Sequence, residues 1–146
     1  MRRAVLAAKR GAPEGIAELL LARLPAECLP REATITWIPA HPRRALLGPD
    51  AGETLALALA RREGAPVDRL LRRSPLGRRQ AGRDREQRRG AGERLGLRVR
   101  GRPPAAVVVV DDVRTTGATL DAAARLLHEA GARHVMGVTV ALAGAP

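Results

Sequence analysis

Chemistry concentrates in one stretch of the chain: Ala106-Val107-Val108-Val109-Val110-Asp111-Asp112-Val113-Arg114-Thr115-Thr116-Gly117-Ala118-Thr119. The adjacent carboxylates Asp111 and Asp112 are pure acceptors, suited to the vicinal hydroxyls of a sugar and able to hold a hard cation through its water shell. A few residues on, Thr115, Thr116, Gly117, Ala118 and Thr119 offer successive backbone N–H groups and hydroxyls to an anion, and Gly117 lets the backbone approach closely. Diol on one side and phosphate on the other describe a ribose 5-phosphate.

The elements that must hold these groups follow from the neighbouring residues. Four consecutive valines are β-branched and lack polar alternation, so they predict a strand buried on both faces. After the glycine, Leu120, Ala123, Ala124 and Leu127 recur at helical spacing up to Gly131. The unit is strand, polar loop, helix. In an open α/β sheet such a loop lies at the carboxyl end of its strand, where ligands bind, and the positive end of the helix favours an anion there.

This run resembles the phosphoribosyl pyrophosphate (PRPP) signature of the type I phosphoribosyltransferases: an apolar strand, two acids, an apolar residue, a free position, then Thr-Thr-Gly-x-Thr. Over nearly the whole chain the likeness is greatest to the ComF family, named for competence in DNA uptake. Lys9 sits where that family has an early lysine. Pro39, Ala40, His41, Pro42, Arg43 and Arg44, with Gly48 and the helix after Glu53, resemble its proline-rich basic segment, and Gln80 and Arg88 resemble its glutamine and arginine in a central arm. There are departures: the family's Arg-Gly-Phe-Asn-Gln element reads Leu47-Gly48-Pro49-Asp50-Ala51, Ala91 stands where it has an asparagine, and its amino-terminal cysteine zinc finger has no counterpart.

The resemblance implies a phosphoribosyltransferase that binds PRPP with Mg²⁺ and passes the phosphoribosyl group to a nitrogen acceptor, releasing pyrophosphate. Asp111 and Asp112 would be the catalytic carboxylates, holding the ribose hydroxyls and positioning Mg²⁺ through water. Thr115 to Thr119 would hold the 5-phosphate, while Lys9, Arg43 and Arg44 would contact pyrophosphate, arginine as a bidentate donor and lysine as a point charge. His41, Gln80 and Arg88 would belong to loops or a lid.

Composition sets the outer bounds. A chain of 146 residues is one domain by length, expected here as residues 1–146 with a basic flexible arm at about 72–102. The single Cys28 excludes an internal disulfide and a multi-cysteine zinc site, and suits a reducing compartment. Residues 4–8 are too short for a signal-peptide core and no later run could span a bilayer, so a cytoplasmic protein without a membrane partner is expected. Basic residues number 26 against 15 acidic, a formal net charge of +11. Nearly all the excess lies in residues 61–102, with 15 basic and 5 acidic groups. That arm could bind phosphate backbones without sequence preference. The oligomeric state is open, a homodimer being one option.

Further elements read as follows. Residues 4–8 form a short strand, a helix starts near Pro13, and residues 34–38 form a second strand containing Trp37 and ended by Pro39. An Ala/Leu-rich helix runs from Glu53 to Arg62 with Leu55 and Leu59 inward, residues 67–71 make a third strand, and residues 134–142 close the sheet. The expected architecture is α/β: a type I phosphoribosyltransferase (Rossmann-like) fold with four or five parallel strands and helices on both faces. Other chemistries find little footing. Ser74 is the only serine and lies in no nucleophile-elbow pattern, and the glycines form no Walker loop. With no Phe or Tyr, no aromatic wall for a flat base can be named, and Trp37 reads as core. Two other readings stand beside the enzyme: a non-catalytic PRPP sensor or competence-associated protein, and a nucleic-acid-binding module built on the arm.

Overall fold

The structure, a computed structural model, describes residues 3–7, 29–40, 50–73, 95–111 and 117–141. Its centre is a four-stranded, all-parallel sheet in the order β1-β6-β5-β2, where β1 is Arg3–Ala7, β2 is Thr34–Trp37, β5 is Ala106–Asp111 and β6 is His134–Ala141. Two helices are described, α1 (Ala51–Glu63) and α2 (Ala118–Glu129). A second sheet pairs β3 (Leu71–Arg73) antiparallel with β4 (Leu97–Val99).

The four valines of β5 behave as their composition requires. Val108 and Val110 face a core with Ile35, Trp37, Leu55, Leu59, Met136 and Val138, on the side covered by α1. Val107 and Val109 face the opposite core with Leu71, Leu97, Leu120, Leu127 and Val135, on the side covered by α2. None of the four is more than 1% exposed. At about 1.5–3 kcal/mol per buried aliphatic side chain, this strand is a main source of hydrophobic stabilisation. Helices therefore cover both faces, as the strand-helix alternation predicts. The α2 face is drawn close by Gly137 on β6: a Cβ there would stand 3.4 Å from Leu120 Cδ1.

Helix boundaries follow local chemistry. Asp50 caps α1 and Gly64, at φ 60°, ends it in the left-handed region, just where the sequence places the stop. On α2 the residues Leu120, Ala123, Ala124 and Leu127 are all buried, and His128 Nδ1 donates to the Ala132 carbonyl at 2.8 Å beyond the helix end.

Two expectations are corrected, at residues 67–71 and at β6, and the ends of the expected arm gain detail. The third strand, expected at residues 67–71, is reduced to a single bridge between Val67 and Ile35 on the outer edge of β2. A turn then diverts the chain: Leu70 N–H donates to the Asp68 carbonyl at 3.0 Å and to Thr36 Oγ1 at 3.2 Å, its carbonyl accepts from the Arg100 N–H at 2.8 Å, and from Leu71 the chain pairs with β4. The expected arm at 72–102 has ordered feet, because Leu71 and Leu97 are fully buried and Leu95-Gly96-Leu97-Arg98-Val99-Arg100 alternates as a strand does. Its middle, residues 74–94, lies outside the described residues, as does the helix expected from Pro13. Finally, β6 does not close an edge of the sheet; it lies inside, between β1 and β5.

Trp37 is core, as its sequence context suggests, at 5% exposure, and its indole N–H has no hydrogen-bond partner among the described residues. An unpaired buried donor carries a desolvation cost. Trp37→Ala should therefore cost about 3–5 kcal/mol, whereas Trp37→Phe, which deletes the donor and keeps most of the packing, should cost at most about 1.5 kcal/mol. Urea denaturation of both variants measures the difference; equal losses would show that the N–H is satisfied.

Candidate functional site

A parallel sheet delivers all of its strands to one carboxyl edge, and those candidate groups that fall among the described residues lie there. β5 reaches that edge at Asp111, whose side chain is 8% exposed and whose register partner on β6 is Thr139, itself buried. β2 runs alongside and is prolonged by one bond, the Ile38 N–H donating to the Val110 carbonyl at 2.9 Å. β1 brings the chain to the same edge at Ala7, two positions before Lys9. The strand-loop-helix unit is completed by Gly117, buried at φ 77°, which opens α2. A left-handed residue at that point is costly for anything but glycine. Gly117 supplies no side chain to cap its helix, unlike Asp50 on α1, and the positive end of α2 follows the carboxyl end of β5.

Of the residues expected to bind ligand, Asp111, Gly117, Ala118 and Thr119 are thus brought to one edge, Ala118 exposed and Thr119 partly so. Asp112, Thr115, Thr116, Lys9, His41, Arg43, Arg44, Gln80 and Arg88 lie outside the described residues. Among the described residues no group of three or more His, Cys, Asp or Glu side chains could enclose a metal ion. A cation held by one or two carboxylates through water, and bridged by ligand phosphates, requires no such cage.

Two charged residues that sequence reasoning did not assign to the site are built into it. Arg73, on β3, is half-buried; its Nε donates to the Pro39 carbonyl at 2.7 Å and its Nη1 to the Leu95 carbonyl at 3.0 Å. Burial pulls the guanidinium pKa below its ordinary value, and the carboxylates of Asp111 and Asp50 act in the opposite direction. It remains a cation. Asp50 accepts from the Gly52 N–H at 3.1 Å through Oδ1 and from the Ala40 N–H at 3.0 Å through Oδ2, while its own carbonyl accepts from Thr54 Oγ1 at 3.3 Å. One carboxylate thus ties the exit of β2 at Ala40 to the first turn of α1. The helix-start pattern of Asp50 followed three residues later by Glu53 was available in the sequence as a signal. Arg73 had none, being one arginine in a run of many.

A family described as phosphoribosyl transferase domain matches residues 82–145, which includes β4, β5, α2 and β6. No curated protein matches. Among solved structures, the chain is similar to an allosteric regulatory enzyme of purine biosynthesis (TM-score 0.59, 23% identity, covering 86% of this chain and 24% of that one). It is also similar to orotate phosphoribosyltransferase from Aeropyrum pernix (0.54, 23%, covering 86% and 56%). A third similar structure is glutamine PRPP amidotransferase from B. subtilis complexed with ADP and GMP (0.55, 23%, covering 86% and 25%). The chain thus spans about a quarter of two of these proteins and just over half of the other. The parallel sheet, the two-sided helical cover and these likenesses agree on one architecture: the chain has the type I phosphoribosyltransferase fold.

Proposed function

We propose that this chain is a ComF-like phosphoribosyltransferase that binds PRPP with Mg²⁺ and transfers its phosphoribosyl group to a nitrogen acceptor. The observation that carries this reading is the pairing of Asp111, at the end of a strand buried on both faces, with Gly117 in the left-handed conformation at the start of α2, both on the carboxyl edge of a parallel sheet. A carboxylate and a helix N-terminus one loop apart match a sugar diol and its 5-phosphate.

In the proposed reaction the C1–oxygen bond of PRPP breaks, pyrophosphate leaves with that electron pair, and a nitrogen lone pair forms the new bond to C1 as the nitrogen gives up a proton. Positive charge develops on the ribose, so fixed carboxylates beneath it and cations around the leaving group lower the barrier by preorganised electrostatics. Asp111 and Asp112 would face the ribose hydroxyls; Thr115 to Thr119 would hold the 5-phosphate; Lys9, Arg43 and Arg44 would meet pyrophosphate, with His41, Gln80 and Arg88 in the surrounding loops. Mg²⁺, held by Asp111 and Asp112 through water, would supply charge neutralisation at the phosphates.

Calorimetric titration with PRPP, with and without Mg²⁺, checks this directly. Binding should be magnesium-dependent, and Asp111→Asn should weaken it about 10-fold or more, the worth of hydrogen bonds to a charged group. Pyrophosphate release with a panel of nitrogen bases then separates transfer from binding without turnover. Failure of the wild-type protein to bind PRPP at any Mg²⁺ concentration sinks the proposal.

A second reading is favoured by one observation on the small sheet. Arg72 and Arg98 are register partners and both exposed, with exposed Arg100 just past the end of β4, and none of the three makes an ion pair among the described residues. Like charges directly opposite on a sheet are unfavourable by themselves. A phosphate backbone laid across that face would relieve the repulsion. If so, affinity for a DNA duplex falls steeply with salt, and the double variant Arg72→Ala/Arg98→Ala lowers the slope of log K against log salt by about 2. An unchanged slope removes this surface from consideration.

A further inference from the structure

Arg73 and Asp50 hold the two ends of one peptide group. The carbonyl of Pro39 accepts from Arg73 Nε at 2.7 Å, and the N–H on the other side of the same peptide bond, that of Ala40, donates to Asp50 Oδ2 at 3.0 Å. A cation at the oxygen and an anion at the N–H polarise a peptide in the same sense, so each bond strengthens the other. Both residues are fixed from behind as well: Arg73 by its bond to the Leu95 carbonyl, Asp50 by its cap on the Gly52 N–H. Four segments therefore join through this one peptide plane: the exit of β2, the first turn of α1, β3, and the turn that leads into β4.

The location gives this arrangement its meaning. Trp37 is paired with Val110, and the Ile38 N–H bonds the Val110 carbonyl, so the clamped peptide lies beside the end of β5, where Asp111 sits within electrostatic reach of the Arg73 guanidinium. Sinking a guanidinium halfway into the protein is a poor way to gain stability, since charges lose more solvation than they recover unless their geometry is well satisfied. A charged clamp instead fixes orientation, because each bond has a direction that an apolar contact lacks.

We infer that Arg73 and Asp50 are positioning residues for the phosphorylated sugar: by gripping the Pro39–Ala40 peptide from opposite ends they hold the exit of β2 in one orientation beside Asp111, so that the ligand meets a preorganised edge. This rests on the reading that a phosphorylated sugar binds at that edge. Neither residue need touch the ligand.

The full-length chain and four variants test it: Asp50→Asn, Arg73→Gln, Arg73→Lys, and the double variant Asp50→Asn/Arg73→Gln. Asparagine can keep the helix cap through its amide oxygen while turning a donor toward the Ala40 N–H, so Asp50→Asn removes the clamp and preserves the fold. Circular dichroism verifies folding in each case. Amide hydrogen exchange at Ala40, followed by NMR without ligand, should accelerate about 10-fold or more in Asp50→Asn and in Arg73→Gln. PRPP affinity in the presence of Mg²⁺ should fall about 10-fold in each of these variants, and by little more in the double variant, since both act through one peptide. Arg73→Lys, which retains a cation able to reach the Pro39 carbonyl, should recover a large part of the loss.

A double variant weaker by the product of the two single losses, about 100-fold, overturns the inference, because it makes the two residues independent. So does a loss in Arg73→Lys equal to that in Arg73→Gln, or faster exchange at Ala40 with PRPP affinity unchanged. Those results leave the binding of PRPP by the wild-type chain standing. Absence of wild-type binding is a different outcome, and it removes the functional reading along with the role assigned to the clamp.

Discussion

The interior position of β5 is the constraint on which the rest depends. It is hydrogen-bonded to β2 on one edge and β6 on the other, and packed on both faces, so every direction except its two ends is taken by apolar neighbours or by the ladder. An all-valine strand has no preferred face, and the usual alternation of polar and apolar residues cannot set its register. What fixes it is the pairing on both sides: Val107 stands opposite Thr34 on β2 and Val135 on β6, and Val110 opposite Trp37 and Val138. In that register the four valines are buried and the strand ends at Asp111, itself only 8% exposed, on the carboxyl edge of the sheet.

Parallel pairing then gathers the other loops at the same edge. An antiparallel sheet of the same strands would send successive loops to opposite ends; here β1, β2, β5 and β6 all deliver their carboxyl ends together. The valines divide evenly between the two cores, one under each helix, which is why neither helix can be lost without exposing half of the strand. The all-parallel arrangement requires this double cover, and the small β3–β4 sheet adds Leu71 and Leu97 to the α2 side of it.

Arginine serves two opposite purposes in adjacent positions. Successive residues of a strand point to opposite faces, so Arg72 lies in solvent against Arg98 while Arg73 turns inward to the carbonyls of Pro39 and Leu95. The strong positive charge of the chain is thus not one property. Arg72, Arg98 and Arg100 are solvated surface, while the Arg73 guanidinium is part of the framework at the candidate site, balanced by the carboxylates of Asp50 and Asp111.

What the residues alone determined is whatever depends on local pattern: the buried valine strand, the acid that ends it, the glycine and helix that follow, the stop of α1 at Gly64, and Trp37 as core. Each is legible because periodicity, β-branching and backbone permissiveness act over a few neighbouring positions. The tertiary structure alone decided what depends on partners distant in sequence. β6 lies inside the sheet because β1 pairs with it from the far end of the chain, a contact no local pattern encodes. Residues 67–71 fail to form a full strand because a turn through Asp68 and a bond to Thr36 lead Leu71 to β4 instead. Arg73 became a member of the site for the same reason: its two carbonyl partners lie 34 and 22 positions away, and only folding brings a cation, a peptide and a carboxylate into line.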